Sequence, residues 1–201
     1  TPYFLKRGKE PGARIEFAKV TTLFLGILGF IIMIVILWTP EIMRFPIGGR
    51  TLIGSEFWPC EPVVSAILIG YFFFGTYVLQ LPGIYMKKIT RWVPVFRAIG
   101  ASIMIVVGLI LIPQIGMIGA SYAVIIAFFI MSFSVYLKTR NLYSVPYNWI
   151  AIIYPIIFLF FSVIIPTDFI INCVVSIIYP VGWYFFAINT EERSGLKKII
   201  S

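Results

Sequence analysis

Histidine is absent from the 201 residues and cysteine occurs only twice. The first absence removes imidazole base catalysis and histidine metal sites. Charge is scarce as well. Asp, Glu, Lys and Arg together make up 12% of the chain, about half of what a water-soluble domain carries. A glycine-rich phosphate loop followed by Lys and Ser or Thr is also missing. The nearest stretch, GGRTLIGS at 48–55, lacks the lysine that would reach a phosphate.

What fills the chain is apolar: 60% of residues are hydrophobic and 17% aromatic. The few charges are clustered, which leaves uncharged runs at Val20–Pro40, Pro62–Met86, Ala98–Leu137, Asn141–Thr167 and Phe169–Thr190. About 20 helical residues cross the hydrocarbon core at 1.5 Å rise each. Four runs fit one crossing each, and the 40-residue run Ala98–Leu137 fits two. The expected spans are Val20–Trp38, Val63–Met86, Pro94–Ile112, Met117–Leu137, Asn148–Ile165 and Asp168–Ile188. The first holds thirteen Leu, Ile, Val or Phe residues. Together they favour insertion by roughly 4–8 kcal/mol, and one central Lys or Asp would remove about 3 kcal/mol of that. No charged residue falls well inside any of the six. The runs also lack the apolar/polar alternation that barrel strands need. The expected fold is therefore an all-α integral membrane protein of six transmembrane helices.

Lys and Arg set the orientation. Lys6, Arg7, Lys9, Arg14 and Lys19 precede the first span, and Lys87, Lys88, Arg91 and Arg97 follow the second. Lys138 and Arg140 follow the fourth, and Arg193, Lys197 and Lys198 lie in the tail. That places fourteen cations on one side against Arg44 and Arg50 on the other, while the acidic residues divide four and four. The positive-inside rule then puts both termini in the cytoplasm. The net charge of +8 is a topology signal laid against anionic headgroups, which gives no reason to expect a nucleic-acid partner. Membrane lipid is the expected one. Thr1 opens TPYFLKRGKEPGAR, a basic stretch with the character of a connection between membrane segments, so we expect the C-terminal part of a longer protein. The expected organisation is a cytoplasmic basic segment (1–19), a four-helix part (20–137), two additional helices (138–188) and a cytoplasmic tail (189–201).

Candidate functional groups are few. Gln80 is the most polar residue within a helix and Asn172 the second. Each suits an interhelical hydrogen bond, with substrate contact as the alternative. Asp168 sits at the mouth of the sixth helix, where it fits a cap, with proton coupling as the rival role. Cys60 and Cys173 both fall toward the outer side, and unpaired thiols are the favoured reading over a disulfide. The outer connection 40–62 carries Glu41, Glu56 and Glu61, which solvate a loop whose Phe57 and Trp58 anchor the next helix; acid/base work is the alternative. The inner connection KKITRWVPVFR (87–97) interleaves Lys87, Lys88, Arg91 and Arg97 with Trp92 and Phe96. It suits lipid headgroups, or the anionic phosphate group of a substrate.

The 40-residue run breaks at LILIPQIGMIGASYA (109–123). Pro113 is expected to end the third helix, with Gly116 and Gly119 reversing the chain at an uncharged outer hairpin. Gly119, Ala123 and Ala127 recur every fourth residue on the fourth helix, as Gly100 and Gly108 lie on one face of the third. Such faces let backbones approach closely in lipid.

This stretch resembles the LIP-x-x-G-x-x-GAA signature of the oligosaccharide flippases, the Wzx-like polysaccharide transporters of the multidrug/oligosaccharidyl-lipid/polysaccharide superfamily. Leu111, Ile112, Pro113, Gly116, Gly119 and Ala120 match, and Ser121 replaces the second alanine. The order of elements is similar too: a basic connection, GSEFWP on the outer side, a helix ending in Lys-Lys, the LIP hairpin, then RNLYSVPYNW (140–149). The resemblance covers most of the chain. It implies the C-terminal part of a 12–14-helix transporter of two lobes related by pseudo-twofold symmetry, with the N-terminal remainder as its partner. It further implies alternating access that flips an anionic polyprenyl-pyrophosphate-linked oligosaccharide across the bacterial inner membrane for surface polysaccharide synthesis. Such a protein is not an enzyme and needs no cofactor beyond H+ or Na+ coupling at a site not assigned. Lys87, Lys88, Arg91, Arg97 and Gln80 are the substrate-facing candidates, and Pro113, Gly116, Gly119, Ala120 and Ala123 are structural. The alternatives are a drug exporter of the same superfamily and a membrane-integral polymerase or acyltransferase.

Overall fold

A computed structural model describes residues 12–140, 142, 145–165 and 168–187. Six of the cations counted above, Lys6, Arg7, Lys9, Arg193, Lys197 and Lys198, lie outside the described residues. The described chain forms α1 (Ala13–Arg44), α2 (Glu61–Met86), α3 (Trp92–Ile115), α4 (Met117–Thr139), α5 (Trp149–Ile164) and α6 (Phe169–Gly182). A π-helical turn, Trp183–Ala187, extends α6. With that turn α6 is long and apolar enough to cross a membrane, as are α1 to α4. The apolar α5 has 16 residues, about 24 Å of helix, which is less than the hydrocarbon thickness of about 30 Å.

The first helix overruns its expected limits at both ends. Pro40 stands inside α1, and the helix continues to Arg44. A proline restrains the residue before it away from the helical region. At Thr39 this is tolerated, but at Phe45, before Pro46, the backbone turns extended (φ −58°, ψ 125°) and the helix stops. Glu41 therefore belongs to a helix and not to the outer connection. That connection also holds a short hairpin, β1 (Pro46–Ile47) paired antiparallel with β2 (Arg50–Thr51). Gly48 and Gly49 both have positive φ at its turn, the conformation a two-residue hairpin loop of this kind demands. A 3-10 turn, Ser55–Cys60, then leads into α2, where Trp58 Nε1 donates to the Ile53 carbonyl at 3.2 Å.

Pro113 does not end the third helix. The α3 helix runs through it to Ile115, and Gly116 (φ 60°, ψ −137°) separates α3 from α4 with no intervening residue. A proline near a helix end forfeits only one ladder bond, whereas the Gly116 backbone conformation is essentially reserved for glycine. The helix therefore ends three residues later than expected, and the chain reverses at Gly116, one of the two glycines expected to do so.

Helix α2 packs against α4 on one side and α1 on the other. Helix α4 also packs along α3, so it stands between two helices that precede it in the chain. Small residues make this possible. Ala123 and Ala127 are buried, and a Cβ on Gly70 would come within 2.9 Å of Val124 Cγ1. Two apolar cores result. One unites Tyr77, Leu81, Ile84, Phe96, Met131 and Val135 from α2, α3 and α4. The other joins α1 and α2 to α5 and α6 through residues such as Leu25, Met33, Phe72, Leu159 and Tyr179. Tyr179 Oη donates to the Gly26 carbonyl at 2.9 Å, and Tyr154 Oη donates to the Tyr179 carbonyl at 3.0 Å. Trp183 lies directly over Gly26, where no Cβ could fit. Because α2 belongs to both cores, the halves join through it and leave a cleft beside it.

Candidate functional site

The cleft has a volume of about 270 Å³ and is walled by α1, α2, α4 and the start of α5. Phe73, Phe129, Phe133, Tyr136 and Trp149 supply much of its apolar lining. Tyr136 of α4 meets Trp149 of α5 edge to face at 5.5 Å between ring centroids. Asn148 fixes the start of α5 by accepting the Ile150 N–H on its side-chain oxygen at 3.1 Å, the bond expected of an N-cap asparagine.

One polar chain crosses the lining. Gln80 and Thr76 are four residues apart on α2 and so share a face; Ser132 faces them from α4. Thr76 Oγ1 donates to the Phe73 carbonyl at 2.7 Å. A hydroxyl has one proton, so in the 2.6 Å contact between Thr76 Oγ1 and Ser132 Oγ the serine is the donor. Ser132 Oγ in turn accepts from Gln80 Nε2 at 3.1 Å, while the same nitrogen donates to the Thr76 carbonyl at 3.0 Å. Every donor in the chain is thereby used. Gln80 Oε1 remains, buried and without a hydrogen-bond partner. A buried acceptor left unpaired costs about 1–3 kcal/mol, so Gln80 keeps one unused acceptor beneath the surface of the cleft wall.

The candidate cations lie elsewhere. Helix α2 ends at Met86 with Lys87 as its cap. Lys88 takes a positive φ of 55°, Lys88 N–H donates to the Tyr85 carbonyl, and Ile89 N–H donates back to Ile84. This is a Schellman-type ending with lysine where glycine is usual. Lys87, Lys88 and Arg91 are exposed on the turn, and Arg97 is exposed on α3 itself, since that helix begins at Trp92. Lys138, in the last turn of α4, lies 3.9 Å above the Trp92 ring, which brings a cation from the next connection to the same end. Gln80 bonds to Thr76 and Ser132 and not to any of these cations. The structure thus separates the five candidates into a glutamine in the cleft wall and a basic end on α2 and α3.

Among the structural candidates, Gly119 is buried and a Cβ there would stand 2.5 Å from the Leu111 carbonyl oxygen. Ala123 is buried on the same face and Ala120 is half-buried. Pro113 is exposed within α3. Asp168 occupies the N-cap position of α6, but its side chain makes no cap hydrogen bond; its carbonyl accepts the Asn172 N–H at 2.9 Å. Cys60 and Cys173 are both free thiols. Asn172 is an interhelical partner, donating to Leu37 O and to Glu41 Oε1, both at 3.0 Å. This bond overturns the assignment of Glu41 to a solvated loop. The extra turn of α1 beyond Pro40 carries the carboxyl to α6, so a charged residue type does enter the packed helices. Thr76 and Ser132 are not among the candidates read from sequence, and Glu41 is there only as a loop carboxylate. The four-residue interval Thr76–Gln80 was a legible signal, whereas Ser132 has none.

Helices of this length and apolarity, packed with buried small residues, define an all-α, multi-pass membrane protein. Comparison with protein-family models, with curated proteins and with solved structures finds no match.

Proposed function

We propose that the chain is part of a transporter that flips a polyprenyl-pyrophosphate-linked oligosaccharide across a bacterial inner membrane, with both termini cytoplasmic. The observation that carries this reading is the division of labour in the candidate groups. An apolar, aromatic-walled cleft suits the face of a sugar ring. The exposed cations Lys87, Lys88 and Arg91 suit the pyrophosphate, an all-acceptor group that could not bond to Gln80 Oε1. At about 270 Å³ the cleft lies below the usual range for drug-sized ligands, so it would hold one sugar unit while the rest of the glycan lies outside it. The resemblance of LILIPQIGMIGASYA to the flippase signature supports the same class. On that resemblance, α5 would count as the sixth crossing and a second lobe would complete the cavity.

Replacing Lys87, Lys88 and Arg91 together by alanine tests the proposal in a strain deleted for the corresponding gene. Surface glycan should fall sharply while the protein inserts at normal levels. Normal surface glycan with the triple variant removes the phosphate role of this end.

A further inference from the structure

Among the described residues, five buried side-chain atoms lack a hydrogen-bond partner: Tyr77 Oη, Gln80 Oε1, Trp183 Nε1, Glu41 Oε2 and Asn172 Oδ1. The last two belong to residues already bonded to each other. Asn172 is fully buried, and its amide nitrogen donates both hydrogens to acceptors, the Leu37 carbonyl and Glu41 Oε1. Turning the amide over would set its oxygen against both acceptors, so its orientation is fixed. Its oxygen is then left over, beside a carboxyl group whose second oxygen is left over too.

Two acceptors cannot satisfy each other, and an ionised carboxylate is acceptor-only. Leaving a buried carboxylate oxygen unpaired is among the costlier arrangements in a protein. The charged groups near it do not relieve it. Arg44, three residues on, pairs with Glu61 at 3.4 Å and lies over the Trp58 ring. Asp168, at the start of α6, is exposed and would add negative charge. Helical side chains lean toward the N-terminus of their helix. The Glu41 carboxyl is therefore carried back toward Leu37 and the apolar part of α1.

We propose that Glu41 binds a proton on Oε2, so that it and Asn172 form a closed carboxylic acid–carboxamide pair tying α1 to α6. One hydrogen converts Oε2 from acceptor to donor and supplies Asn172 Oδ1 with its partner, removing both vacancies at once. The pair is a proton-binding site at the outer end of the helices, and release of the proton breaks one of its two bonds. This inference stands on the geometry and not on the transport reading.

Infrared difference spectra of the purified full chain in lipid at neutral pH, wild type against Glu41→Gln, test it. The expected result is loss of the carbonyl stretch of an un-ionised carboxylic acid, a band that shifts in deuterated water. Loss of carboxylate stretches in its place overturns the proposal. Thermal unfolding gives the second readout. Glutamine supplies both an acceptor and a donor, so Glu41→Gln should unfold near the wild-type temperature while Glu41→Ala unfolds several degrees lower. A wild-type melting temperature raised by sodium and not by choline, with the rise lost in Glu41→Gln, assigns a cation to the site and also overturns it. Should Glu41→Gln fail to fold, Asn172→Leu replaces it in the spectra. The acid carbonyl band must then move to higher frequency, and an unchanged acid carbonyl region counts against the pair.

Discussion

The Leu111 carbonyl oxygen occupies the place where a side chain on Gly119 would begin, 2.5 Å from an ideal Cβ. The opposing atom is backbone, so no rotamer change can clear it. Gly119→Ala should therefore push α4 away from α3 and cost about 1–3 kcal/mol. Gly108→Ala is the contrast. There the added Cβ would meet Ile112 Cδ1 at 3.6 Å, an ordinary contact, and alanine is favoured over glycine in a helix by up to about 1 kcal/mol. Thermal unfolding in detergent should show the first variant falling and the second holding or rising.

Lys88 carries a left-handed backbone conformation, φ 55°, that costs an ordinary residue roughly 1–2 kcal/mol. Lys88→Gly should raise the melting temperature and Lys88→Ala should leave it near wild type, since alanine keeps the strain and loses only an exposed charge. Equal gains from both variants would place the effect in charge repulsion among Lys87, Lys88 and Arg91.

In the cleft, Gln80→Leu removes the unpaired acceptor and the interhelical bond to Ser132 together. These effects on stability oppose each other, so unfolding should change by no more than about 1 kcal/mol. If the acceptor meets a substrate hydroxyl, glycan export should fall about tenfold, the equivalent of one hydrogen bond of roughly 1.4 kcal/mol. Export at the wild-type level with Gln80→Leu would confine the residue to helix packing.

Gly29 is enclosed by parts of three other helices. A Cβ there would stand 2.6 Å from Tyr179 Oη and 2.7 Å from Pro155 Cβ. Gly29→Ala should loosen α5 and α6 from α1 and lower stability by about 1–3 kcal/mol. Gly75→Ala meets only the tip of Leu28 at 2.7 Å and should cost much less, because that side chain can move. Limited proteolysis comparing the two variants would show earlier cleavage after α4 in Gly29→Ala alone.

The Arg44–Glu61 pair, at 3.4 Å with Arg44 52% exposed, should contribute less than about 1 kcal/mol. Arg44→Gln should unfold within a few degrees of wild type at any salt concentration. A larger loss would show that the stacking of Arg44 on Trp58 holds the Ser55–Cys60 turn in place.

Positions where composition alone decides were legible from sequence. Uncharged runs located α2 and α4 within a few residues, and the four-residue spacing of Gly119, Ala123 and Ala127 identified a buried face. The C-terminal ends of α1 and α3 pass their expected limits for one reason: Pro40 and Pro113 stand inside helices whose packing offsets the lost bond and the ring clash. The stops are Phe45, restrained by Pro46, and Gly116, one of the two glycines expected to reverse the chain. The Glu41–Asn172 bond depends on that extra turn of α1 and on a contact 131 residues away in sequence. Local pattern carries no trace of such a pairing. The Gln80–Thr76 half of the cleft chain was readable from spacing on α2, while Ser132 entered only through the packing of α4.

The placement of α4 between α2 and α3 also bears on how the protein is built. Synthesis delivers α2 and α3 to the membrane first, and these two share little surface. Phe96, Gly100 and Gly108 are the buried residues of α3, and Met131 of α4 is the group beside Gly100. Until α4 emerges, α3 has only lipid for company, which its apolar surface tolerates. The reversal at Gly116 then sets α4 against both α2 and α3. A residue unable to take the Gly116 conformation would leave two inserted helices without the neighbour that joins them.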